Sequence, residues 1–263
     1  MPVPLPDTET RCAPALGRAL LRVSGADHVA FLQGLVTQDL ARVARDGIAY
    51  GALLSPQGKA LADFFLVQAD GAILIDLAAG LADDLVKRLT LFKLRSKVVI
   101  EPVDLPVTRG TGPMPKGALA DPRDPSMGWR LYGHALTQGP EPDWDALRVA
   151  ARVPETGIEL RIGESYILEL GYERLNGVDF RKGCYVGQEI IARMHHKTEL
   201  RRRLMVVSLS HPVPVGTQVL TETGKDAGAV YTQAGGRGLA HLRVERAMGP
   251  LQAGDARLEV QDG

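Results

Sequence analysis

Tyr50-Gly51-Ala52-Leu53-Leu54-Ser55-Pro56-Gln57-Gly58-Lys59-Ala60-Leu61-Ala62-Asp63-Phe64-Phe65-Leu66-Val67 is a pair of apolar runs around Ser-Pro-Gln-Gly. Pro presets the backbone of a reverse turn and Gly accepts its unusual dihedrals, so the stretch predicts a β-hairpin. Asp70-Gly71 makes the next turn into Ala72–Leu77, extending the hairpin to a three-stranded antiparallel meander. Upstream, Ala19–Val23 reads as a first strand closed by Ser24-Gly25, and Val29, Phe31 and Leu32 share a helical face before Gly34. Downstream, Leu81, Leu85, Leu89 and Phe92 recur at helical spacing, which predicts an amphipathic helix packed on the sheet. Val98-Val99-Ile100 returns as a strand. Strand, helix, hairpin, helix and strand in this order indicate an α+β domain, not a doubly wound parallel sheet.

Further out the signals thin. Residues 1–14 read as an extended lead-in, and residues 102–128, rich in Pro and Gly, as a loop or irregular substructure. A helix runs from Trp144 to about Arg152, and residues 154–180 suit a long ordered loop over a binding site. From Arg203 onward, Leu204–Leu209, Thr217–Leu220, Ala227–Tyr231 and Gly238–Leu242 are short strands between Gly-rich turns, a pattern for a small β-barrel. The division that follows is an α+β region over 1–200, open to a break near 102–128, and a barrel over 201–263.

The chain has 263 residues, 31 basic and 31 acidic, and a formal net charge of zero. That balance argues against a general nucleic-acid binder, so RNA is not an expected partner. No apolar run approaches the roughly 20 residues a spanning helix needs, and no membrane role is expected. Met1-Pro2-Val3-Pro4-Leu5-Pro6-Asp7 has neither a secretory signal nor an Arg-rich transit pattern, which gives a cytoplasmic protein as the expectation. Two cysteines, Cys12 and Cys184, are too few for a disulfide framework.

Cys184 lies in Lys182-Gly183-Cys184-Tyr185-Val186-Gly187-Gln188-Glu189. Val178-Asp179-Phe180 reads as a short strand and Gln188–Met194 as a helix, placing Cys184 on a turn toward a helix N-terminus, where the dipole favours negative charge. Lys182 is two residues away, and Arg193 comes close if the turn folds back; each is expected to favour the thiolate. Gly183 and Gly187 permit a tight backbone, while Tyr185, Gln188 and Glu189 support the turn. The competing reading makes Cys184 a small buried hydrophobe among ordinary turn glycines.

This octapeptide resembles the signature of the YgfZ family of folate-binding, iron–sulfur-cluster-associated proteins, which is related to the aminomethyltransferase (T-protein) of the glycine cleavage system. Phe31-Leu32-Gln33-Gly34 with Thr37 and Asp39, Ser55-Pro56-Gln57-Gly58-Lys59 with Asp63, and Leu94-Arg95-Ser96-Lys97-Val98 are similar to further family segments, in the family order. The resemblance implies an aminomethyltransferase-like fold with a small C-terminal barrel, a tetrahydrofolate-type ligand, and a part in cluster assembly. It further implies Trp144 as a residue stacking on the pterin and Glu159 as the carboxylate reading its N–H edge, with Asp63, Asp39 and Arg18 as additional pocket residues. The competing roles are packing at a helix start for Trp144, a plain surface position for Glu159 and a strand-face position outside the site for Asp63.

Where the T-protein carries adjacent carboxylates, this chain has Ala62-Asp63, so one acid of the transferase chemistry is missing. Arg193, His195, His196, Lys197, Arg201, Arg202 and Arg203 stand against Glu199 alone, a run suited to a polyglutamate tail, an acidic partner or RNA phosphates, or else a solvated face. Neighbouring His195 and His196 are expected to point apart, and no metal site is assigned. Two cysteines cannot hold a resident cluster, so contact with one is expected to be transient or shared with assembly proteins or client enzymes. The first expectation is thus a folate-binding accessory factor for assembly, transfer or repair of iron–sulfur clusters acting through Cys184, not a classical enzyme. The alternative is a tetrahydrofolate-dependent one-carbon transferase or demethylase. Any effect on tRNA modification would be indirect, through cluster-dependent enzymes.

Overall fold

The computed structural model describes residues 9–197 and 199–261. The chain clusters into two compact units that interleave in sequence: one takes residues 1–53, 62–143 and 176–185, the other 54–61, 144–175 and 186–263. The second unit therefore extends well beyond the barrel that the sequence marks off at 201.

The first unit is built on two antiparallel sheets. The meander is as read: β3 (Ile48–Leu54), β4 (Ala60–Ala69) and β5 (Ala72–Ala78) join β2 (Arg18–Ser24) and β6 (Val99–Val103) in the order β3-β4-β5-β2-β6. The helices of this unit are α1 (His28–Gln33), α2 (Leu40–Asp46) and α3 (Ala82–Lys93). The sequence reading passed over α2, although its stop and start signals are complete. Asp39 accepts from the Ala41 amide at its start, and Gly47, at φ 77°, ends it in the left-handed region. Leu85 and Leu89 of α3 are buried as expected, but Phe92 is exposed; the helix outruns the surface it covers.

The second sheet corrects two expectations. β1 (Arg11–Pro14), inside the presumed lead-in, and β7 (Val107–Thr111) and β8 (Leu119–Ala120), inside the presumed loop, join β9 (Trp129–Tyr132) in the order β1-β7-β9-β8. Its small core is Cys12, Ala118, Trp129 and Leu131. Gly110 is required there, because a Cβ would sit 2.3 Å from the Trp129 ring. Residues 1–8, the rest of that lead-in, lie outside the described residues.

In the second unit, α4 (Trp144–Ala151) and α5 (Gln188–Lys197) accompany a closed barrel of β10 (Arg202–Leu209), β11 (Gln218–Thr221), β12 (Asp226–Ala234), β13 (Arg237–Arg243), β14 (Leu251–Ala253) and β15 (Ala256–Gln261). Closure runs β10-β13-β12-β11-β14-β15 and back to β10, which leaves no free sheet edge. The last two strands went unread in the sequence: β14 is only three residues long, too short to leave an alternating signal, whereas β15 alternates buried and exposed positions and was legible in principle.

Candidate functional site

Cys184 is exposed, while Lys182 and Tyr185 on either side of it are buried. The Lys182 ammonium donates to three backbone carbonyls of the α1–α2 connection, Gln33 O at 2.8 Å, Val36 O at 2.6 Å and Gln38 O at 3.0 Å. Burial pulls its pKa down to about 8, against the opposing pull of Asp39 and Asp179. The ammonium also lies 5.1 Å from the Tyr185 ring centroid. Burial, reinforced by Asp179, raises the Tyr185 phenol to about 12 and keeps it neutral.

The approach to the cysteine is fastened to the same connection. Asp179 accepts from the amides of Arg181 and Lys182, at 2.7 and 3.2 Å, and its own amide donates to Thr37 O at 2.9 Å. The Thr37 hydroxyl donates to Gly177 O at 2.7 Å, and the Gln38 side chain donates to Asn176 O. Thr37 and Gln38 are fully buried polar residues with every reason to be there: they are the socket of the cysteine loop. Residues 178–180 form no strand, contrary to the reading from sequence; Asp179 shapes them into a turn instead.

This geometry changes the roles assigned to the motif. Lys182 has no hydrogen left to donate to the thiol, because all three go to carbonyls. It is a clamp. Arg193 does not fold back either; it pairs with Glu189 across one turn of α5 at 3.4 Å. Gln188 and Glu189 are the first residues of α5.

Gly187 has a different necessity from Gly183. At φ 83° a Cβ on Gly187 would lie 2.6 Å from Ser55 O and 3.0 Å from the Leu54 Cβ, whereas a Cβ on Gly183 would meet nothing within 4 Å. Gly58, at φ 75°, is likewise closed off by Ile190, 2.8 Å from its ideal Cβ position. The two glycines belong to sequence segments about 130 positions apart, yet the hairpin tip and the start of α5 meet backbone to backbone at them.

The residues read as folate contacts are occupied internally. Glu159 is fully buried and accepts from Arg148 (3.1 Å), the Thr232 hydroxyl (2.6 Å) and amide (3.1 Å), and the Glu155 amide (2.9 Å). Trp144 is buried at the start of α4, in the same unit. Arg18 binds Asp76 at 2.6 Å, and Asp76 also takes Arg130 and Tyr132, each at 2.9 Å. Asp63 accepts from the Tyr50 hydroxyl at 2.7 Å, and Asp39 caps α2. Glu159 is thus corrected from a pterin-reading carboxylate to the hub joining α4 to β12, and Arg18 to a member of a buried ion network. Glu159 and Arg18 are committed to partners within the fold, while Asp39 and Asp63 each make a structural hydrogen bond.

The buried network around Asp76 escaped the sequence reading. Arg130 lies 3.8 Å and Arg123 4.7 Å from the Phe65 ring centroid, and Arg123 pairs with Asp121 at 2.8 Å. Asp76 amid Ala-Ile-Leu-Ile-Asp-Leu-Ala was the available signal, since a charge inside an apolar strand requires a partner.

His195 and His196 do not diverge as expected. Their rings meet edge-on with centroids 4.5 Å apart, and His195 Nε2 lies 3.1 Å from Glu173. No group of three or more His, Cys, Asp or Glu able to hold a metal occurs among the described residues. The basic run is partly neutralised where it enters the barrel, Arg202 lying 4.0 Å from Asp226.

Residues 201–262 match the family described as CAF17, C-terminal beta-barrel domain. The mouse protein named iron-sulfur cluster assembly factor IBA57, mitochondrial, is 34% identical over 89% of this chain and 78% of its own length. The chain belongs to the IBA57 family. The human IBA57 is also 34% identical, over the same shares, and the Mycosarcoma maydis homologue is 30% identical over 73% of this chain and 55% of its own. In architecture, this chain is similar to the glycine cleavage system aminomethyltransferase T of Bartonella henselae, with a TM-score of 0.75 over 97% of this chain and 86% of that one. Sequence identity there is 13%, so the likeness is one of fold. The expectation of a cytoplasmic protein is corrected by these relatives, which are mitochondrial by name. That expectation rested on residues 1–7, which lie outside the described residues, and on a leader pattern that the start of a sequence need not record.

Proposed function

We propose that this IBA57-family chain supports iron–sulfur cluster assembly by lending the Cys184 thiol as a single ligand during handover of a cluster between partner proteins. The observation that supports this reading is an exposed cysteine held between two buried anchors, Lys182 and Tyr185. A cluster is the cargo here, bound mainly by the partner's ligands. As Cys184 binds iron it gives up its proton and displaces one partner thiolate, which takes a proton up; no electron moves. The octapeptide would then be the same device as the YgfZ-family signature it resembles, and effects on tRNA modification would follow only through cluster-dependent client enzymes. Partners are iron–sulfur assembly proteins or those clients, engaged transiently.

In cells lacking their own family member, the wild-type chain should restore the activity of cluster-dependent enzymes, and Cys184→Ala should not. Full rescue by the alanine variant sinks the proposal. We retain a folate ligand only as a property of the shared fold, independent of the five side chains first assigned. A calorimetric titration with tetrahydrofolate that shows no saturable binding removes it. The transferase alternative keeps Asp63 as its one acid. Single-turnover formation of methylenetetrahydrofolate that depends on Asp63 and not on Cys184 would establish it in place of handover.

A further inference from the structure

The end of α3 and the connection to β6 read Lys87-Arg88-Leu89-Thr90-Leu91-Phe92-Lys93-Leu94-Arg95-Ser96-Lys97-Val98-Val99. Five cations and no acid fall here, in a chain whose net charge is zero. Arg88 pairs with Asp84 at 2.5 Å, whereas Lys87, Lys93, Arg95 and Lys97 have no carboxylate within 4 Å among the described residues. Between them stand, apart from Leu16, the most exposed large apolar side chains among the described residues of the first unit: Leu94 is 89% exposed and Leu91 77%, with Phe92 and Val99 beside them.

This exposure is built in. The connection is fixed at its base, since the Lys97 amide donates to Asp27 at 2.7 Å and the Asp27 amide donates to Lys97 O at 3.3 Å. A Cβ on Gly25 would lie 2.3 Å from Lys97 O, so the two backbones are in contact. Leu94 itself is held at φ 43°, ψ −110°, a conformation unfavourable for a side chain with a Cβ. A leucine thus stands in water on a strained backbone, at a cost that the surrounding contacts sustain.

We propose that this basic, leucine-tipped projection docks on an anionic lipid bilayer surface, the leucines entering the acyl boundary and the lysines and arginines lying among the headgroups. Charge complementarity selects an anionic surface, and shape selects a lipid one. The apolar residues stand exposed at the end of α3, and a fluid bilayer receives such side chains without a preformed groove. The chain would lie on the membrane and not span it; no described helix is long and apolar enough to cross one. The proposal runs against the expectation, drawn from the lack of a spanning segment, that no membrane is involved.

The test is co-sedimentation of the full chain with vesicles of 70:30 phosphatidylcholine and phosphatidylglycerol, against pure phosphatidylcholine. The wild-type chain should partition onto the anionic vesicles and weaken as salt rises. At about fivefold per cation, Lys93→Gln with Arg95→Gln should lower partitioning about 25-fold. Leu91→Ser with Leu94→Ser should release the chain with an unchanged thermal melt, since both positions are exposed. In Leu94→Trp, brominated acyl chains should quench the new indole relative to the two native tryptophans. Absence of wild-type binding, or binding unaffected by the leucine and charge substitutions, overturns the proposal. So does binding without quenching at position 94, or a tip that instead binds an acidic protein in the absence of lipid.

Discussion

Replacing Gly187 by alanine should destabilise the protein, whereas the same change at Gly183, four positions earlier, should not. At Gly187 the added Cβ meets two separate penalties. The backbone at φ 83° costs an L-residue about 1–2 kcal/mol. The new methyl also lies 2.6 Å from Ser55 O and 3.0 Å from the Leu54 Cβ, and both belong to structure that yields little. Overpacking of this kind costs about 1–3 kcal/mol. The sum is about 2–5 kcal/mol. Gly183 has a negative φ and nothing within 4 Å of its Cβ position, so its alanine variant should stay within about 0.5 kcal/mol of wild type. Urea melts followed by circular dichroism would read the difference as a midpoint lower by roughly 1 M for Gly187→Ala. Equal midpoints for the two variants would refute the close approach of the hairpin tip to the α5 entry. Gly58→Ala tests the other side of that contact, and its effect should not add to that of Gly187→Ala because the two share neighbours.

Glu159→Gln should cost about 3–5 kcal/mol in the same melt, since it leaves Arg148 as a buried cation without its buried counter-charge; near-neutral behaviour would mean that Glu159 is not the hub. Lys182 holds its proton less tightly in the folded protein, at about 8, than the usual 10.5 of the unfolded chain. Between those values the unfolded chain carries more protons, so the Lys182 contribution to stability should rise with pH. Melts at pH 7.5 and 9.5 should show that gain in wild type and a smaller one in Lys182→Met; identical pH slopes would contradict it. A maleimide should modify one cysteine per native chain, identified as Cys184 by peptide mapping, and Cys12 only after denaturation, because Cys12 is buried in the β1 sheet. Labelling of Cys12 under native conditions would show that sheet to be open.

The meander and the barrel could be read from the sequence because their signals are local: alternating apolar runs, Pro-Gly turns and closely spaced short strands. The second sheet could not. Its strands β1, β7 and β8 are two to five residues long and embedded in Pro- and Gly-rich sequence, and β1 finds its partner β7 about 100 positions away, so no local pattern marks them. The position of Cys184 was legible, but the direction of Lys182 was not. Its partners are backbone carbonyls 144 to 149 residues distant, and a carbonyl carries no residue identity to recognise. Glu159 failed for a related reason. A carboxylate in a resembling position says nothing about whether Arg148 and Thr232 already surround it.

The clamp at Lys182 also has an entropic consequence. A flexible loop that brings a thiol to a metal must first be immobilised, at about 1–2 kcal/mol per residue. Here Lys182 and Tyr185 have already fixed the backbone on both sides of Cys184. That ordering was paid for when the chain folded, so docking a metal on the sulfur demands little further loss of freedom. A ligand mounted in this way would meet a metal without a separate ordering step, as the proposed handover requires.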